Sequence, residues 1–221
     1  MADFVHLNVH SHYSKGWGMG TIDDLCRSAK AHGMETLGLT DTNGLYGLVF
    51  FVQTAREMGI QPIVGSELTG DGHRALLLVR TAEGYANLSR LISDRHCHQD
   101  FDLIRSLREK RKGLVVVSDD FQVLKALKKD GMEGLFVEMS PGYDMATCYA
   151  FSRKSKIPPL ATNRVYLMRK DQFSLHRILR AVSLNSKLSR LERDEICREH
   201  NVLNGPEAMI SQFPHAPAAI Q

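Results

Sequence analysis

Phe4-Val-His-Leu-Asn-Val-His10, continued by Ser11-His-Tyr-Ser14, is the stretch from which the fold is read. Polar and apolar residues alternate along it, so a period-2 strand puts His6, Asn8 and His10 on one face. A second apolar run ends in Leu39-Thr40-Asp41-Thr42, a third in Ile63-Val64-Gly65-Ser66-Glu67, and a late one in Leu160-Ala161-Thr162-Asn163-Arg164-Val165-Tyr166. Where the strands of a closed barrel finish in His, Asp and Glu, those groups converge on one rim, the place where catalytic metals sit in such folds. Several positions best placed for ligation hold Asn, Thr, Arg and Tyr instead. The chain reads as a metal-site scaffold with much of its metal chemistry removed.

Outward from these runs, apolar stretches alternate with amphipathic ones. Strands are expected at 4–9, 36–40, 61–65, 74–80, 113–118, 134–139 and 158–162, and helices at about 21–32, 46–58, 83–93, 101–110, 120–129, 143–155 and 171–183. Thr21-Ile-Asp-Asp24 has the form of a capping box, Gly33 stands at a C-cap position, and Gly59 stops the second helix. Leu76-Leu-Leu-Val79 and Leu114-Val-Val-Val117 are apolar on both faces, as strands covered on both sides should be. Seven strands alternating with helices imply parallel pairing with right-handed crossovers, in a barrel or in an open doubly wound sheet. No G-x-G-x-x-G follows the first strand, which weighs against a dinucleotide-binding sheet.

Composition sets mild limits. A chain of 221 residues, 43% hydrophobic, buries a full core as one domain, or as one domain with a short appendix. A formal charge of +3 permits a nucleic-acid partner without demanding one. No stretch approaches the ~20 apolar residues of a membrane span, and Met1-Ala-Asp3 leads straight into a strand, so neither a membrane segment nor a signal peptide is expected, and the cytoplasm is the expected location. Cys26, Cys97, Cys148 and Cys197 are widely spaced, which fits reduced thiols better than a disulfide framework or a structural zinc site.

The same stretches carry a resemblance. F-V-H-L-N-V-H-S-H-Y-S at 4–14 resembles the opening of the PHP (polymerase and histidinol phosphatase) domain, in the version found at the N-terminus of bacterial DNA polymerase III alpha subunits. L-G-L-T-D-T-N-G-L-Y-G-L-V-F-F at 37–51, G-I-Q-P-I-V-G-S-E-L-T at 59–69, E-G-Y-A-N-L-S-R-L-I-S at 83–93 and P-P-L-A-T-N-R-V-Y at 158–166 are similar to further motifs of that family, in its order. G-P-E-A-M-I-S-Q-F-P at 205–214 resembles the stretch that follows the domain in those polymerases, and the wording at 44–47 and 88–93 leans towards the error-prone type. The resemblance implies a distorted seven-stranded, TIM-like (β/α)7 barrel over 1–190, with 191–221 as an appendix leading towards a polymerase region. It also implies two or three divalent metals that hydrolyse phosphoesters by lowering the pKa of bound water.

Carried over residue by residue, the family's H-x-H falls on Asn8 and His10, with His6 before it. T-D-H falls on Thr40, Asp41 and Thr42, the acid of the third strand is kept as Glu67, D-x-H falls on Arg164 and Tyr166, and an acidic position holds Trp17. An Arg beside a divalent ion repels it by about 4 kcal/mol or more at ~4 Å. The expectation is therefore no catalytic residue, a vestigial site at Asn8, Trp17, Thr42, Arg164 and Tyr166, and at most one weakly held Zn, Mn or Mg ion on His6, His10, Asp41 and Glu67. With the metals gone, Arg164 is expected to pair with Glu67 or Asp41.

Plainer readings stand beside these. His6 and His10 also fit as hydrogen-bonded core histidines, and Asp41 as a turn builder through side-chain-to-backbone bonds. Glu67, if buried, needs a cation or donor under either reading. His96-Cys97-His98 would put neighbours on opposite faces of a strand, which disfavours a second metal site. The basic run Arg105–Lys112, like Lys125, Lys128 and Lys129, fits a solvated helix face better than a DNA contact. The functional expectation is a non-catalytic module of a DNA polymerase for replication or error-prone repair, with the polymerase region, and through it DNA and other subunits, as partners. The alternative is a stand-alone phosphoesterase or 3′–5′ exonuclease with a rearranged site.

Overall fold

The computed structural model describes residues 4–220. Met1–Asp3 and Gln221, read above as the lead into the first strand and the last residue of the appendix, lie outside the described residues.

Six strands form one mixed sheet in the order of the chain: β1 (Thr36–Leu39), β2 (Gln61–Gly70), β3 (His73–Val79), β4 (Leu114–Ser118), β5 (Leu135–Met139) and β6 (Pro159–Ala161). The helices are α1 (Ile22–Ala31), α2 (Leu48–Glu57), α3 (Ala82–Cys97), α4 (Leu103–Lys110), α5 (Phe121–Lys129), α6 (Met145–Ser155), α7 (Phe173–Ser183) and α8 (Pro206–Ile210). The capping box at Thr21 and Asp24 forms, and Ile22, Leu25, Cys26 and Ala29, spaced along one face of α1, are buried.

Two expectations need correction. The pairing is parallel for β1–β2, β4–β5 and β5–β6, but β3 is antiparallel to both β2 and β4. The cause is local: Asp71 (φ 51°) and Gly72 (φ 73°) take the left-handed turn that an Asp-Gly pair favours, folding β2 back on β3 as a hairpin with no crossover. The stretch expected as a first strand, 4–9, makes no ladder. On one side Gly38 N–H donates to His6 C=O (2.8 Å) and Thr40 N–H to Val9 C=O (2.9 Å). Donors two residues apart thus meet acceptors three apart, which breaks the register as a bulge does. Thr40 Oγ1 fills the gap, accepting from Val9 N–H at 2.9 Å. On the other side His10 N–H donates to Val165 C=O (2.9 Å) and Val165 N–H to Asn8 C=O (2.8 Å).

Period 2 along the strands sorts the sheet faces. Leu77, Val116 and Val137 pack into the large core under the helices, while Leu76, Leu78 and Val117 form an apolar layer on the opposite face, with Ile63, Val115, Phe136 and Leu160 against it. Met209, Phe213, Ala216 and Ala219 from the C-terminal segment are buried in the large core. Cys26, Cys148 and Cys197 are buried and Cys97 exposed, all as thiols.

Candidate functional site

The alternation that builds the apolar layer also builds the polar layer above it. Two residues beyond Val117 stands Asp119, beyond Phe136 stands Glu138, and four beyond Leu160 stands Arg164. Because β3 runs antiparallel, its start reaches this rim, and Arg74, two residues before Leu76, joins the layer. On β2, Glu67 faces Leu76 across the hairpin, diagonal to Arg74.

These side chains form one network. Arg74 Nε donates to Glu67 Oε2 (2.5 Å), and its Nη1 to Asp119 Oδ1 (2.9 Å) and Glu138 Oε2 (2.7 Å). Arg164 Nη2 donates to Asp119 Oδ2 (2.5 Å) and to the same Glu138 Oε2 (2.8 Å). Glu138 Oε1 accepts from Asn8 Nδ2 (2.6 Å) and Thr162 Oγ1 (2.8 Å). Burial alone would push the Glu138 carboxyl up, but Arg164 and Arg74 hold it well below the usual carboxylate range. Glu67 is likewise lowered, with Arg74 first among the groups that overcome its burial.

The expectation that Arg164 pairs with Glu67 or Asp41 is corrected: its partners are Asp119 and Glu138, and Arg74 neutralises Glu67. Asp41 is satisfied by neutral donors, the backbone N–H of Ser11 (2.7 Å) and the hydroxyls of Ser11 (2.8 Å) and Ser14 (2.6 Å). Arg164 also adopts a left-handed backbone (φ 49°) and lies over the Tyr143 ring at 4.0 Å. That conformation costs a non-glycine residue on the order of 1 kcal/mol. Asn201 holds it in place, donating to Asn163 C=O (2.7 Å) and accepting from the N–H groups of Tyr166 and Leu167 (3.0 Å each).

Of the residues expected at the site, Asn8, His10, Thr42, Glu67, Arg164 and Tyr166 do come together. His10 is fully buried and stacked on Tyr166, ring centroids 4.4 Å apart. Since Glu138 takes the Asn8 amide N–H, the Asn8 oxygen faces His10 and accepts from its Nε2–H (2.9 Å). Ser14 Oγ (3.0 Å) and Thr42 Oγ1 (3.2 Å) both lie beside His10 Nδ1, with their hydroxyl protons on Asp41 and Glu67 respectively. His6 leaves the group: its Nε2 meets the Asn204 carbonyl (2.9 Å), and burial lowers it to about 4. Trp17 lies on the cleft wall, with the Arg180 guanidinium 3.9 Å above its ring.

The donor set does not fit a divalent ion. The carboxylates that face one another are already bridged by guanidinium groups, and His10 Nε2 carries a proton where a ligand needs a lone pair. Among the described residues no group of three His, Cys, Asp or Glu is arranged to hold a metal. His96 and Cys97 close α3 and His98 caps it, so this triplet is not on a strand; His96 Nε2 meets the Asn43 carbonyl (2.7 Å). In the basic run, Arg108 pairs with Asp130 (2.6 Å) and Lys110 with Asp94.

Sequence reasoning missed Arg74, Asp119 and Glu138. Asp119, next to the end of an expected strand, was findable by the strand-end rule. Arg74 was not, because that rule searches C-terminal ends and β3 brings its N-terminal end to the rim. Above the network opens a cleft of about 850 Å³.

The PHP domain family profile matches residues 6–129. The chain belongs to the PHP domain family. This PHP domain is homologous to part of the DNA polymerase III alpha subunits. It is 29% identical to an error-prone DNA polymerase of Symbiobacterium thermophilum, over 99% of the chain and 24% of that protein. It is 28% identical to the DNA polymerase III alpha subunit of Buchnera aphidicola, over 100% of the chain and 22% of that protein. The chain thus spans about a quarter of the length of these curated relatives. Among solved structures, a two-domain protein from Bacteroides vulgatus containing a predicted PHP-like metal-dependent phosphoesterase shares the fold, with a TM-score of 0.58 and 12% identity over 98% of this chain and 62% of that one. An amidohydrolase from Chromobacterium violaceum does so with a TM-score of 0.54 and 16% identity, over 73% of this chain and 87% of that one. At those identities the likeness concerns the fold alone.

Proposed function

We propose that this PHP domain is a structural module of a bacterial DNA polymerase III alpha subunit, serving replication or error-prone repair synthesis in the cytoplasm, and that it has no phosphoesterase activity of its own. The observation that carries this reading is the bridging of Glu67, Asp119 and Glu138 by Arg74 and Arg164. Metal-assisted hydrolysis needs those carboxylates on a cation that activates water. Here fixed guanidinium charges replace the cation, and an arginine can neither be deprotonated nor bind hydroxide. The network joins β2, β3, β4, β5 and the stretch after β6, so it keeps a structural use once the chemistry is gone. In the same reading, segment 4–10 takes the place of the seventh strand between β1 and Val165, hydrogen-bonded to both.

A module needs a face for its host. On α7 the residues Leu175, Ile178, Leu179 and Val182 are 38–72% exposed at i, i+3, i+4 and i+7. Such a stripe on a surface helix marks a contact, and the polymerase region of the same parent chain is its proposed partner, through which DNA and other replication or repair subunits come into play. Among the described residues no helix is long and apolar enough to cross a membrane.

The test is metal analysis of protein purified without chelator, combined with assays for release of nucleotide from single-stranded DNA and of phosphate from monoesters, with and without Mn²⁺. Sub-stoichiometric metal and no release are expected. Steady, chelator-sensitive release by the unmodified chain would establish a hydrolase instead.

A further inference from the structure

The cleft above the carboxylate network has two unlike halves. On its floor Arg74 and Arg164 are neutralised by three carboxylates. On its wall, Lys15, Arg180, Arg193 and Arg198 make no ion pair among the described residues, and Asp194 is the acid that lines the cleft beside them. Arg180 is only 6% exposed, yet its hydrogen-bond partner is a neutral one, the Glu195 carbonyl (2.6 Å to Nε). Arg198 likewise donates from Nη1 to the Arg193 carbonyl (2.6 Å), and its buried Nε has no partner among the described residues. The Glu195 carboxylate acts on Arg180 only from beyond ion-pair distance, and a guanidinium so far out of water without a paired counter-charge is unfavourable unless an anion completes it. Planar N–H forks are the groups that bind phosphate oxygens in pairs.

The geometry points to a phosphate-binding site on this wall, built by Arg180, Arg198, Arg193 and Lys15, which holds a phosphate group without a metal and without cleaving it. Recognition is of the phosphate and not of a base. Beside these cations Trp17 is covered by Arg180 at 3.9 Å and Tyr143 by Arg164 at 4.0 Å, so neither ring offers a base a stacking platform, and the open ring of the cleft is Tyr46. The inference deepens the reading of a non-hydrolytic site and rests on it.

Trp17, the one tryptophan of the chain, lies under Arg180 and reports on the wall. The 221-residue chain is titrated in EDTA with inorganic phosphate, with thymidine 5′-monophosphate and with an eight-residue oligothymidylate, followed by Trp17 fluorescence and by calorimetry. Saturable binding is expected in all three, with phosphate and monophosphate within about threefold of each other, falling as salt rises. Arg180→Gln should weaken binding at least tenfold. Because Arg180 packs on Trp17 and its replacement could loosen the fold, the exposed Arg193→Glu serves as second variant and should weaken it at least fivefold with an unchanged urea midpoint. No saturable signal up to millimolar phosphate, or unchanged affinity in both variants, would overturn the site. Oligothymidylate bound a hundredfold tighter than phosphate would overturn recognition by the phosphate group alone. Cleavage of the oligonucleotide during titration would instead overturn the non-hydrolytic module.

Discussion

Arg74 reaches diagonally across the β2–β3 hairpin to Glu67, Nε to Oε2 at 2.5 Å, and the same guanidinium continues to Asp119 and Glu138. One side chain thereby offsets a carboxylate on each of three elements, and Arg164 closes the network from the far side. Burying these charges gains little over an apolar core of equal volume, but removing one partner leaves the others uncompensated.

Arg74→Met should therefore destabilise the domain by about 3 kcal/mol, and Arg164→Ala by a similar amount. Pairing Arg74→Met with Glu67→Gln should recover ~1 kcal/mol, because one bare carboxylate disappears. Urea denaturation of the four proteins measures this. A loss within error for Arg74→Met would mean that its guanidinium is not held in the network.

Stability should fall in two stages as pH drops. Burial first lowers His6 and His176 from 6.5 to about 4, so the folded state keeps them neutral where the unfolded chain protonates them. Their contribution is complete above pH 6.5 and lost as pH falls towards 4. Glu67 and Glu138 are lowered in the folded state, so theirs is present above the ordinary carboxylate value of about 4.3 and lost only below it. The urea midpoint as a function of pH should show both stages, and His6→Gln should flatten the upper one. An unchanged slope between pH 6.5 and 4 in that variant would exclude His6 as a source.

Introducing metal-ligating residues with Asn8→His, Thr42→His, Arg164→Asp and Tyr166→His should not create metal binding while Arg74 remains on Glu67 and Glu138. Adding Arg74→Gln removes that competing cation and is the least further change that should allow it. Calorimetric titration with Mn²⁺ separates the two variants, and binding by the fourfold variant alone would refute the role given to Arg74.

Ile178→Lys and Val182→Lys on the exposed stripe of α7 should leave the urea midpoint of the domain within about 0.5 kcal/mol, since both side chains are largely solvated. Both should lower light scattering of concentrated samples and weaken association with a separately produced polymerase region. A large drop in the midpoint would show that the stripe serves this domain's own core.

How far the sequence reached differs between helices and strands. Helices followed from local signals, such as the capping box at Thr21 and Asp24 and the buried positions 22, 25, 26 and 29 on one face. Most strands followed from apolar runs, and the family from motifs kept in order along the chain. The direction of β3 was also written locally, in Gly70-Asp-Gly72-His73, although alternation with helices suggested a parallel strand.

By itself the sequence determined that Asn8, Thr42, Arg164 and Tyr166 stand at the ends of their apolar runs, where few side chains can ligate a metal. Which charges neutralise the rim carboxylates was decided only by the tertiary structure. Asp119 and Glu138 lie 45 and 64 residues along the chain from Arg74. A hairpin reversal and the shared period of neighbouring strands bring them within hydrogen-bond reach. An ion pair depends on a few ångströms in space, and a sequence records that distance only after its strands have been given direction and register.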